Sequence, residues 1–173
     1  MRKLLLIGWA LAFVLLASGR AQAQITDRQL LEKISNAIQN YPKYSVFDSI
    51  EVGIDNRAVV IGGRVTSPQK RDEIEKRVSK IDGIRSLTNE IGVLPLSQGD
   101  NDLRRRVAAA IYNHPMFWTY AQMPVPPIHI VVEGGRITLT GVADSEVQRV
   151  MAASLAVVSG SFGVTNRISV ERR

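Results

Sequence analysis

Few side chains in this 173-residue sequence could carry covalent chemistry, and their spacing argues against it. There is no cysteine, which excludes a disulfide framework and a thiolate metal site. Of the two histidines, His114 precedes a proline and His129 sits between Ile128 and Ile130 on an alternating stretch. Neither has a carboxylate or second histidine at a ligand-like offset, so both are read as surface polar residues. A nucleophilic serine needs a strained turn beside a base, whereas Ser67 and Ser145 stand where helix caps are needed. Gly62-Gly63 and Gly134-Gly135 lack the Gly-Lys-Ser/Thr that completes a phosphate loop and are read as turns or bulges. Asn89 and Asn166 occupy matching places before a last strand, which suits local hydrogen bonds to backbone. The expectation is no catalysis, no metal and no cofactor.

Residues suited to binding are better represented. "NHPMFWTYAQMPVPP", Asn113 to Pro127, holds Phe117, Trp118 and Tyr120 with Met116 and Met123 among prolines. A helical stretch before it carries Arg104, Arg105 and Arg106. Basic groups near a membrane surface gain about 1 kcal/mol each from anionic headgroups. Trp and Tyr settle at headgroup level, and apolar burial adds to both. The pattern therefore predicts a lipid-binding set of Arg104, Arg105, Arg106, Phe117, Trp118 and Tyr120. The three arginines fan over roughly 200° of a helix and cannot share one face. A second reading stands beside the first: a small domain is short of core, and aromatics in a loop fold back to plug it. The matching stretch "YPKYSVFDS" carries Tyr41, Tyr44 and Phe47, so some aromatics there are architectural.

The elements that position these residues come in duplicate. "GIRSLTNEIGV" (83–93) aligns with "GSFGVTNRISV" (160–170), and "AVVIGGRVTS" (58–67) with "RITLTGVADS" (136–145). "LLEKISNAIQN" (30–40) parallels "LRRRVAAAIYN" (103–113). The offset drifts from 73 to 78 to 77, so the second copy is lengthened in its opening stretch. Leu30, Ile34, Ala37 and Ile38 recur at helical spacing, as do Leu103, Val107, Ala110 and Ile111. Thr26 with Gln29 forms a capping box. "SIEVGID" and "IHIVVEG" alternate as strands, and each is followed by a second strand after Asp55-Asn56 or Gly134-Gly135, giving hairpins. A second helix begins at Ser67-Pro68 or Ser145, and a last strand spans about Arg85–Val93 or Val164–Val170. The predicted fold is α+β: two tandem α-β-β-α-β modules, each a mixed three-stranded sheet with two helices on one face.

This duplicated unit resembles the BON-domain family, and in two-module form its osmotically inducible periplasmic members. The resemblance spans about residues 25–171. It rests on Gly63 and Gly141 after the second strands, Gly83 and Gly160 before the last ones, and Asn89 and Asn166 before alternating apolar residues. It departs at "GIRSL" and at the proline-rich insert. What it implies is a non-enzymatic periplasmic protein that associates with phospholipid or envelope partners, the four glycines being structural.

The ends and the remaining surfaces complete the expectations. Arg2, Lys3 and the apolar run that follows, closed by Ala21 and Ala23, predict a signal peptide over 1–23, cleaved before Gln24. The first module is placed at 24–94, a linker at 95–100 and the second module at 101–173. Without Arg2, Lys3 and Arg20, 19 of the 22 basic residues remain against 16 acidic, a net charge near +3. That is too mild for bulk nucleic-acid binding. The helix "PQKRDEIEKRVSKI" mixes charges around Ile74, Val78 and Ile81 and reads as a solvated face. The helix after Ser145 bears no charge from Val150 to Asn166. Its core stripe is read as Val147, Val150, Met151, Ser154, Leu155 and Val158, with Ala152, Ala153, Ala156 and Val157 outside for the modules to dock on. The expected partner is an anionic phospholipid membrane surface, bound peripherally after export. The alternative is a protein–protein adaptor in the envelope, using sheet edges or that uncharged helix.

Overall fold

The computed structural model describes residues 25–171. The expected signal peptide and its cleavage site lie outside the described residues. The fold is α+β with two tandem α-β-β-α-β modules.

Helix α1 (Asp27–Gln39) opens on the expected capping box: Thr26 Oγ1 accepts from Gln29 N–H, and Gln29 Oε1 accepts from Thr26 N–H. Its periodic residues Leu30, Ile34 and Ile38 are buried. Strands β1 (Ser49–Asp55) and β2 (Ala58–Val65) pair antiparallel. Helix α2 (Pro68–Val78) follows, capped by Ser67 and buried through Ile74 and Val78, with its charged residues outside. Strands β3 (Ser86–Asn89) and β4 (Gly92–Val93) both lie parallel to β2. The second module repeats this order with α3 (Gln98–Tyr112), a 3-10 turn (Pro115–Phe117) and α4 (Trp118–Ala121), then β5 (Ile128–Glu133), β6 (Arg136–Ala143), α5 (Glu146–Leu155), β7 (Gly163–Asn166) and β8 (Ser169–Val170). Each module encloses its own apolar core.

The closing strand of each module is broken where the sequence showed one run. Asn89 Oδ1 accepts from Ile91 N–H at 3.0 Å, and its amide donates to Glu75 at 2.8 Å. Asn166 repeats this with Ile168 N–H at 3.1 Å and the Arg149 carbonyl at 2.9 Å. Each asparagine lets one strand step inward, burying Ile91 or Ile168, and ties the step to the second helix.

The hairpin turns also differ by one residue from expectation in the first module. Asn56 and Arg57 take positive φ (46° and 64°), as Gly134 and Gly135 do (58° and 74°). This is the turn whose twist matches a two-residue hairpin. A carboxylate in the opening helix holds it: Asp27 accepts from Asn56 N–H at 3.2 Å and Arg57 N–H at 3.1 Å. Asp100 accepts from Gly134 N–H at 2.9 Å and Gly135 N–H at 2.8 Å. Opposite each turn, Gly63 and Gly141 sit at φ 107° and 96°, and a Cβ there would lie 2.0 Å from the carbonyl oxygen of Ser49 or Pro127.

The modules do not dock through α5. Residues before each first strand cross over instead. Val46 and Phe47 pack on the second module's core, and Val125 packs on the first. Val46 O accepts from Ile130 N–H at 2.7 Å, Ser49 Oγ meets Thr140 Oγ1 at 2.8 Å, and Arg64 approaches Glu133 at 3.5 Å. The first arm is held by buried Asp48, which accepts from the N–H and hydroxyl of Ser45 and of Thr66 and from Lys70 Nζ.

Candidate functional site

The aromatic stretch divides its residues between two roles. His114 Nδ1 accepts from Met116 N–H and caps the 3-10 turn. That turn drives Phe117 into the second core, where it is 0 % exposed and packs against Tyr120 with ring centroids 5.9 Å apart. Tyr120 is buried too; its hydroxyl donates to Gln148 at 3.1 Å and accepts from Asp144 N–H at 3.0 Å. Burial pushes that phenol's pKa up. Trp118 turns the other way and is 68 % exposed, with Met123 also exposed. The predicted set therefore loses Phe117 and Tyr120: helical geometry sends them inward to fill a small core and leaves the indole outside.

The arginines divide similarly. Arg104 is buried on α3; it donates to the Val132 carbonyl at 2.8 Å and to Asn101 Oδ1. Burial lowers its pKa, while the carboxylates of Asp100 and Asp48 oppose that. It serves the second module's interior, not a surface. Arg105 is exposed and paired with Asp102. Arg106 is exposed and reaches the Ser159 carbonyl at 3.2 Å, just past the end of α5. Of six predicted residues, Arg105, Arg106 and Trp118 face solvent.

Helix α5 supplies what the sequence reading placed inside. Ala152 is its buried residue, followed by buried Ala156 at its C-cap, and Met151, Leu155 and, beyond the helix, Val158 are partly buried. Val147, Val150 and Val157 are exposed. The core stripe is thus rotated from expectation: small alanines let the helix sit close to the sheet, and the valines are left outside. Glu146, Val147, Val150, Met151 and Ser154 line a shallow, mostly apolar groove of about 400 Å³. The bond between Tyr120 and Gln148 sets α4 beside the first turn of α5, so Trp118 and Val147 lie toward one end. Phe162, 76 % exposed, packs its ring by Gly135 toward the other end, where Arg106 meets Ser159. The second module thus exposes the valines of this helix, Trp118 and Phe162, with the Arg106 guanidinium at the Ser159 end. These residues can lie on a surface; they enclose nothing.

Among the described residues no group of three or more His, Asp or Glu side chains could hold a metal ion. No helix among them is long and apolar enough to cross a membrane. His129 is not on the open surface as read. It faces the Tyr44 ring at 5.4 Å between the modules, its Nδ1 has no partner among the described residues, and burial lowers its pKa.

Two repeats of one α+β unit, docked by exchanged arms, define a tandem two-module protein. The chain belongs to the BON-domain family: the BON domain model matches residues 26–95 and again 99–172. The family is associated with the cell envelope and with membrane binding. The chain matches no curated protein sequence. Among solved structures, it is similar to the C-terminal domain of CdsD, a structural protein of the type III secretion system of Chlamydia trachomatis. Identity there is 12 %, coverage is 86 % of this chain and 100 % of that one, and the TM-score is 0.30. A second CdsD structure matches at 12 % identity over 82 % of this chain and 92 % of that one, with a TM-score of 0.28.

Proposed function

We propose that this is a non-enzymatic periplasmic protein that binds the surface of anionic phospholipid membranes through the helical face of its second module. In the envelope it would support integrity under osmotic stress. The observation that carries the reading is the exposed apolar series Trp118, Val147, Val150, Val157 and Phe162 on one module, with Arg106 reaching Ser159 within it and Arg105 exposed on the same module. Scattered surface valines are ordinary, but a groove-forming series on a helix whose only charges, Glu146 and Arg149, pair with each other is a binding feature. Apolar side chains at headgroup depth supply affinity, and the arginines supply preference for negative lipid. Arg104, Phe117 and Tyr120 act by holding the face in place.

Sedimentation with vesicles tests this. Wild-type protein from Gln24 onward should sediment with phosphatidylglycerol-containing vesicles, less so in high salt, and not with pure phosphatidylcholine. The variant Trp118→Ser/Val147→Ser/Val150→Ser should keep its fold and lose the binding. Equal sedimentation of wild type and variant would sink the proposal.

A further inference from the structure

The junction between the modules is bridged by one ion pair, Arg64 with Glu133 at 3.5 Å. A second acid and a second base face the same junction from opposite modules and are not joined. Glu51 stands on β1 of the first module, and Arg167 between β7 and β8 of the second. Both are exposed, and neither has a salt-bridge partner among the described residues. Two cavities meet there, one of about 620 Å³ and one of about 280 Å³, and Ser49, Glu51, Thr140 and Arg167 line both. The hydroxyls of Ser49 and Thr140 bond each other at 2.8 Å. Whichever way that bond runs, it uses one O–H donor, and the other has no acceptor among the described residues. The divide between the cavities therefore offers a carboxylate from one module, and a guanidinium with a spare hydroxyl donor close by. Beyond it the larger cavity carries apolar side chains, Ile50, Met123 and Val142 among them.

We propose that the module junction binds a free α-amino acid with an apolar side chain. Charge complementarity selects the class. The ammonium group donates to Glu51, while the carboxylate of the same molecule accepts from Arg167 and from the spare hydroxyl. A simple anion would bring like charge to Glu51, and a simple cation would bring it to Arg167. A zwitterion with both charges on one carbon meets both sides. The apolar side chain enters the larger cavity, whose size is that of a small-molecule site, and a junction between domains is a common place for one. None of the lining residues belongs to α5, so the site is separate from the membrane-binding face proposed above.

The probe is L-leucine. Full-length isotope-labelled protein is titrated with it, and the amide resonances of Ser49, Glu51, Thr140 and Arg167 are followed. They should shift saturably. Three analogues leave the protein unaltered: leucinamide lacks the carboxylate, isocaproate lacks the ammonium, and glycine lacks the side chain. Each should bind about tenfold more weakly or worse, the scale of one lost contact to a charged group for the first two. Glu51→Gln and Arg167→Gln, both at exposed positions, should keep the fold and weaken leucine binding to the same degree. The proposal is overturned if leucine moves none of these resonances, if any of the three analogues binds as tightly as leucine, or if either variant binds leucine as wild type does.

Discussion

Tyr120 holds in the second module the place that Asp48 holds in the first. Asp144 N–H donates to the Tyr120 hydroxyl at 3.0 Å, as Thr66 N–H donates to Asp48 at 2.9 Å. The Tyr120 hydroxyl meets Gln148 as Asp48 meets Lys70. In both modules one polar side chain from the opening stretch pins the end of the second strand to the second helix. Tyr120 is therefore an architectural residue. Tyr120→Phe should cost about 1–2 kcal/mol in urea unfolding, since Asp144 N–H and Gln148 each lose a partner. It should leave vesicle binding of the folded protein unchanged, whereas Trp118→Ser should do the reverse.

Asp100 should matter more than its place on a helix suggests. Its carboxylate accepts both N–H groups of the Gly134–Gly135 turn and lies close to buried Arg104. Asp100→Ala should destabilise the second module by about 2–3 kcal/mol, the scale of hydrogen bonds to a charged group. Chemical denaturation checks this, with Asp100→Asn expected to recover part of the loss. A loss within 0.5 kcal/mol, about that of an ordinary surface change, would contradict it.

Two glycines separate backbone strain from collision. Gly134 has positive φ, but a Cβ there meets nothing within 4 Å. Gly134→Ala should cost about 1–2 kcal/mol for the left-handed conformation alone. Gly141 has positive φ and a Cβ there would sit 2.0 Å from Pro127 O. Gly141→Ala should exceed the other loss by more than about 2 kcal/mol in thermal or urea unfolding, because the hairpin must separate.

His129 gives the module interface a pH dependence. Burial against Tyr44 lowers its pKa below the usual 6.5, and nearby Asp48 works against that shift. A base with a depressed folded pKa binds more protons unfolded than folded just below pH 6.5. Stability contributed by the neutral imidazole is therefore whole above pH 6.5 and falls as pH drops toward the folded pKa. Wild-type stability should decline over that window more than that of His129→Gln, as measured by urea midpoints at matched ionic strength.

Much of this was legible in the sequence, and the gaps have physical causes. Duplicated glycines, asparagines and helical spacing were enough for the modules, because each recurs at a nearly constant offset. The Asp100–Gly135 contact spans 35 residues and leaves no local signal. Arg104 adjoins Leu103 on the buried side of α3, and an arginine is ordinarily read as solvated. On α5 the large apolar residues were taken for core. The sheet instead accepts Ala152 and Ala156, whose small size permits close approach, and turns Val147 and Val150 outward. The aromatic stretch raised two readings, and its residues split between them by helical phase.

The central claim is that the helical face of the second module rests on anionic membrane. Protein from Gln24 onward has Trp118 as its single tryptophan. Its fluorescence should start red, as for the wet indole of a 68 % exposed residue, and move blue with phosphatidylglycerol vesicles but not with phosphatidylcholine alone. Bilayer-embedded quenchers should then reach it from headgroup depth. Emission that stays red and open to aqueous quencher at saturating anionic vesicles would contradict the account.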